Sequence, residues 1–115
     1  MLLSEDEIES LCRELSPTLA VNAAAVRLAL ACAEQFHDDA RDEPLALLYG
    51  LGRHARALPA GELDAGVLVV MKQAKKSQVM LEASPTELRE AMDRVAEGAW
   101  EYVDLRKALR PRIGR

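Results

Sequence analysis

The amino-acid sequence predicts an all-α fold, a compact bundle of about five helices. Three observations carry that expectation. Alanine (19) and leucine (18) dominate the 115 residues. The residues that favour strands are scarce: Val, Ile and Thr total 12, and the aromatics total 4. Hydrophobic residues make up 50% and charged residues 30%, a balance that supports a core without disulfide or metal staples. One domain over 1–115 is expected, with a short basic tail at 110–115.

The first predicted helix spans about 5–15. Ser4 and Glu7 form a capping-box pattern at its start. Ile8, Leu11, Cys12 and Leu15 then recur at helical spacing. Ser16-Pro17 reads as the cap and first residue of a second helix, 17–37. Arg27 is its one charge before Glu34. A helix apolar nearly all round is normally surrounded by others, so 17–37 is expected at the centre.

Residues 38–43 read as a polar loop. A third helix is expected over 44–58, with Leu47, Leu48, Leu51, Ala55 and Leu58 on one face. Gly50 and Gly52 each weaken it by roughly 1 kcal/mol relative to Ala, and Pro59-Ala60-Gly61 is expected to end it. A fourth helix, 64–81, opens with Asp64 as cap. It buries Val67, Val70, Met71, Ala74 and Leu81, opposite Lys72, Lys75 and Lys76. Leu68-Val69-Val70 alone could form a strand, but the lysine-rich continuation favours helix. Ser84-Pro85-Thr86-Glu87 is the clearest start signal in the chain. It opens a fifth helix, 85–109, carrying Leu88, Ala91, Met92, Val95, Ala99, Tyr102 and Val103 on one stripe and stopping before Pro111.

The formal net charge of −4 argues against a sequence-independent attraction to nucleic acid or an anionic membrane. That charge is blocked along the chain: −7 over 1–43, +3 over 44–80, −5 over 81–105 and +5 over 106–115. Alternating blocks suit association between copies. No run reaches the ~20 mostly apolar residues of a membrane span. The start of the chain lacks the basic and apolar regions of a signal peptide. A cytoplasmic location is expected, with Cys12 and Cys32 reduced.

Candidate chemistry is sparse. Glu34-x-x-His37 has the spacing of a di-iron ligand pair, but no second pair accompanies it. Arg53, His54 and Arg56 follow Gly50 and Gly52 and could hold an anion, although the glycine pattern is not that of a dinucleotide-binding turn. Trp100 lies roughly 120° around the helix from Leu88, at the edge of the apolar stripe. It either widens the core side through Ala96 or is an interface residue, since tryptophan concentrates at interfaces. Glu97, Glu101 and Asp104 recur on the fifth predicted helix. Glu101-Tyr102-Val103-Asp104 resembles the Glu-x-x-Asp motif of the all-α nucleotide pyrophosphatases. The family's Glu-Glu-x-x-Glu motif is absent, since Glu5-Asp6-Glu7-Ile8-Glu9 is acidic but differently spaced. That resemblance implies Mg²⁺ held by Glu97, Glu101 and Asp104 and hydrolysis of a nucleotide. No cofactor is expected outside it.

The expectation that best fits these features is a small helical protein–protein interaction module, an adaptor, chaperone or regulator, which pairs with a protein partner or with itself as a homo-oligomer. No assembled catalytic group stands against it. A nucleic-acid-binding regulator using Arg53, Arg56, Lys72, Lys75, Lys76 and the basic tail is the further alternative.

Overall fold

The computed structural model of the chain describes residues 3, 4, 6, 7, 10, 31, 34, 35, 40–57 and 60–113. These residues are mostly helical: α1 (Asp42–Arg53), a 3₁₀ turn (Ala55–Ala57), α2 (Ala60–Lys76), α3 (Pro85–Ala96) and α4 (Tyr102–Leu109). The strands β1 (Val79–Met80) and β2 (Arg112–Ile113) pair antiparallel, Val79 opposite Ile113 and Met80 opposite Arg112. The Cα radius of gyration is 12.5 Å, close to the ~13 Å of a folded chain this long. Among the described residues no helix is long and apolar enough to cross a membrane.

The capping box at Ser4 forms. Glu7 N–H donates to Ser4 Oγ at 3.1 Å, and Ser4 N–H donates to Glu7 Oε1 at 3.1 Å. Asp6, Glu7 and Ser10 are helical. The expected central helix, 17–37, lies outside the described residues except for Ala31, Glu34 and Gln35, which are helical and exposed.

Among the described residues, helix α1 is the one buried on every side: residues 42–52 are all buried. Between Pro44 and Arg53 it contains no charged residue, so no face needs water. Helices α2, α3 and α4 all pack on it. Leu45, Leu47 and Leu48 are 0–1% exposed, and burying each contributes on the order of 1.5–3 kcal/mol. The helix begins at Asp42 rather than 44, because Asp and Glu are favoured in a first turn by the helix dipole. It ends at Arg53 rather than 58, after two glycines in its last turn.

Helix α2 also starts earlier than expected. Ala60 and Gly61 are its first residues and Asp64 lies inside it. First-turn N–H groups have no intrahelical acceptor, so glycine there interrupts no bond. Leu68, Val69 and Val70 are helical, as the lysine-rich continuation implied. The helix stops at Lys76 instead of Leu81. Gln78 takes a left-handed conformation (φ 56°), and its N–H donates to Lys75 O at 3.1 Å. Val79 and Met80 then leave in β1.

At the start of α3, Ser84 N–H donates to Glu87 Oε1 and Glu87 N–H donates to Ser84 Oγ, both at 3.2 Å. Leu88, Ala91, Met92 and Val95 form its buried stripe. The expected continuous helix over 85–109 is corrected: it breaks at 97–101. Gly98 has φ 77°, its N–H donates to Val95 O at 3.0 Å, and Ala99 N–H donates to Arg94 O at 3.0 Å. This is a Schellman stop, which needs a left-handed residue and here uses glycine. The break resets the phase. Val103 (55% exposed) and Ala99 leave the core stripe, Tyr102 stays on it, and Leu105 and Leu109 join it. Arg110 is left-handed (φ 44°) before Pro111. The basic tail does not fray where β2 forms: Arg112 and Ile113 pair with β1, and Arg112 bonds Glu82.

Gly52 marks the closest approach of two helices. A Cβ there would sit 2.8 Å from Val95 Cβ and 3.0 Å from Met92 O, so α1 and α3 meet at a distance that only glycine allows.

Candidate functional site

The outward face of α2 is where the structure leaves apolar side chains in solvent beside unpaired charge. The inner stripe is Leu63, Val67, Val70 and Ala74, all buried. One turn around the helix, Leu68 is 40% exposed and Met71 38%. Met71, expected inside, is corrected to the outside. Lys72 and Lys75 extend the same face, because residues three and four apart are neighbours on a helix. At its ends the face is fixed by ion pairs. Arg89 Nε lies 3.0 Å from Asp64 Oδ1, and Lys76 Nζ lies 3.2 Å from Glu7 Oε2. Lys72 and Lys75 have no such partner among the described residues. Leu3, Asp6, Glu7 and Ser10 lie across from these lysines, and together they line a groove of about 680 Å³. The Ser4 backbone N–H, and after it the Lys76 ammonium, hold the Glu7 carboxyl below its ordinary pKa.

A second group of polar residues was missed in the sequence, where Asp42 and Glu43 read as loop. They are 1% and 3% exposed, in the first turn of α1. Asp42 Oδ1 accepts from Tyr102 Oη at 2.8 Å and faces Arg106 Nε at 3.4 Å. Glu43 Oε2 accepts from Gln73 Nε2 at 3.3 Å and from the Ser77 hydroxyl. Gln73, fully buried, also donates to Ser77 Oγ at 2.7 Å, and its Oε1 accepts the Leu3 N–H at 2.6 Å. Tyr102 also stacks edge-on against Tyr49, ring centroids 5.7 Å apart. These bonds tie the N-terminal segment, α2 and α4 to the start of α1. The carboxylates are engaged by donors, which makes them structural anchors rather than bases. The available signal was the acidic pair just ahead of Pro44 and the apolar run, a helix-start pattern.

The sequence-predicted candidates are dispersed. Arg53 is exposed, its guanidinium 5.9 Å from the Tyr49 ring centroid. His54 is the half-buried C-cap of α1, and Arg56 is exposed in the 3₁₀ turn. All three lie at or just past the carbonyl end of α1, whose dipole favours cations and opposes an anion. Trp100 is half-buried against the core between α3 and α4. Glu97 caps the end of α3, with Arg94 Nη1 3.4 Å from its carboxylate. Glu101 is the N-cap of α4, and Asp104 Oδ2 accepts its N–H at 2.9 Å. The spacing of Glu101 and Asp104 thus does the work of a helix cap. The break in the helix separates Glu97 from them, so the three do not share one helical face. Among the described residues no three His, Cys, Asp or Glu side chains are grouped as a metal site would need. Glu34 is exposed; His37, Cys12 and Cys32 lie outside the described residues.

No protein-family model, curated protein or solved structure matches the chain.

Proposed function

We propose that this chain is a small cytoplasmic interaction module that acts through helix contacts and associates with itself, built as a five-helix bundle. The observation that supports this reading is the solvent face of α2, where Leu68 and Met71 stand exposed one turn apart beside Lys72 and Lys75. Apolar side chains grouped on one face and edged by charge are the composition of a docking surface. Among the described residues, the buried carboxylates of Asp42 and Glu43 are engaged by donors of the same chain.

Light scattering over a wide concentration range tests this. The mass of the wild-type chain rises with concentration, and a Leu68→Ser/Met71→Ser variant of unchanged helicity stays a monomer. A wild-type chain that is monomeric throughout overturns the reading.

A further inference from the structure

We propose that the carboxy-terminal arm, α4 with β2, is exchangeable between copies: α3 and α4 straighten into one helix across 97–101, and each arm takes the seat of the other copy's arm. The exchange uses no part of the α2 surface and goes beyond it.

The arm is held by the body of the fold, not by the helix that carries it. Tyr102 Oη donates to Asp42 Oδ1 at 2.8 Å, and Arg106 Nε lies 3.4 Å from the same carboxylate. The Tyr102 ring meets the Tyr49 ring edge-on, and Leu105 and Leu109 are buried. Strand β2 pairs with β1, Arg112 bonds Glu82, and the Glu82 N–H donates to Leu109 O at 3.4 Å. Helices α3 and α4 share no substantial contact with each other. Asp42, Tyr49, β1 and Glu82 all precede α3 in the chain, so a second copy offers the arm an identical seat.

The join between α3 and α4 has two self-consistent conformations. Residues 86–110 contain one glycine and no proline. Leu88, Ala91, Met92, Val95, Ala99, Tyr102 and Val103 keep helical spacing through the break. Gly98 is the one residue of the join with a positive φ, 77°, which glycine adopts freely. The closed turn has bonds of its own. The Ala99 and Trp100 N–H groups donate to Arg94 O at 3.0 and 3.2 Å, and Asp104 accepts the Glu101 N–H. Straightening replaces these with helical bonds.

Two costs keep the closed copy the major form. Trp100 leaves its place against the core, and Glu97 and Glu101, four apart on one helix, repel modestly. Exchange itself loses none of the seat contacts, since each arm makes them with the other body, so the balance is set at the join. Ala99 and Val103 are exposed in the closed copy. On the straightened join they lie where two copies related by a twofold axis approach. Mutual exchange of one identical arm closes as a dimer.

The test is refolding from denaturant at high and at low protein concentration, with mass read by light scattering after size separation. Wild type refolded at high concentration yields a dimer fraction that persists on dilution, because its return requires the arms to unseat. Gly98→Ala penalises the left-handed turn and favours helix at both joins, so it raises the dimer fraction at least ~10-fold. Ala99→Gly fits the closed turn and weakens the straightened helix, so it lowers that fraction ~10-fold. Tyr49 and Tyr102 are the two tyrosines of the chain. In a dimer refolded from isotope-labelled and unlabelled copies, the nuclear Overhauser contact between their rings runs between copies. In the monomer it stays within one. A Gly98→Ala dimer lacking that contact between copies overturns the exchange. So does the absence of dimer from wild type, whether Gly98→Ala stays monomeric or fails to fold. The Leu68→Ser/Met71→Ser variant exchanges its arm as wild type does, so failure of the exchange and failure of α2 docking are read separately.

Discussion

Gly52 and Val95 are in contact at a separation that excludes any side chain on the first: a Cβ at 52 would lie 2.8 Å from Val95 Cβ and 2.9 Å from its Cγ1. The Cβ of valine is fixed to its backbone, so rotation cannot relieve this. Two helices must move apart, or the site must distort.

Gly52→Ala is therefore expected to destabilise the fold. Replacing a helical glycine gains about 1 kcal/mol of propensity, while overpacking costs about 1–3 kcal/mol. With the backbone carbonyl of Met92 also 3.0 Å away, the clash wins. Gly66→Ala is the control. Its Cβ would meet Leu51 Cδ1 at 3.1 Å, the end of a flexible side chain that can shift. Urea denaturation should show a lower midpoint for Gly52→Ala and an equal or higher one for Gly66→Ala. Equal midpoints for the two would refute the close-approach account.

Tyr102→Phe removes the donor 2.8 Å from the Asp42 carboxylate and leaves Arg106 Nε at 3.4 Å. Asp42 is 1% exposed, so water cannot replace the lost hydroxyl easily. The expected cost is about 1–3 kcal/mol, read as a fall in Tm. A change below ~0.5 kcal/mol, the range of ordinary surface substitutions, would mean that the bond does not hold α4 to α1.

Glu7 titrates below the ordinary carboxylate range, because its charged form accepts the Ser4 N–H and faces Lys76. The sign follows directly. A carboxyl depressed on folding stabilises the fold above its unfolded pKa, and that contribution is lost as the pH falls through the lower folded value. Carbon-detected NMR should place the Glu7 midpoint below the ordinary value of a glutamate side chain. Lys76→Met should raise it only part of the way, since the larger cause, the Ser4 N–H, remains. A midpoint unchanged by Lys76→Met would contradict the ion pair.

Local signals in the sequence were readable. The caps at Ser4 and Ser84, the buried stripe from Leu88 to Val95 and the stop before Pro111 all depend on residues within a turn of one another. The features that escaped are of two kinds. Gly98 breaks a helix whose apolar spacing continues past it, and periodicity does not reveal the sign of one φ angle. A continuous helix puts Val103 inside and sets Glu97, Glu101 and Asp104 on one face. The burial of Asp42 and Glu43 depended instead on distant partners. Tyr102 is 60 residues from Asp42, and Gln73 and Ser77 are 30 and 34 residues from Glu43. The two-residue strands β1 and β2 are too short for any period and find each other only through the fold.

The bond from Leu3 to Gln73 spans 70 residues, and this bears on the order of assembly during synthesis. Leu3 leaves the ribosome 70 residues ahead of its buried acceptor. The carboxylate and hydroxyl that orient that acceptor arrive at 43 and 77. The amino-terminal segment therefore cannot complete its seat while α1 alone is available, and closing so long a loop is slow relative to local helix formation. The segment around Leu3 is locked late, after the end of α2 has been made.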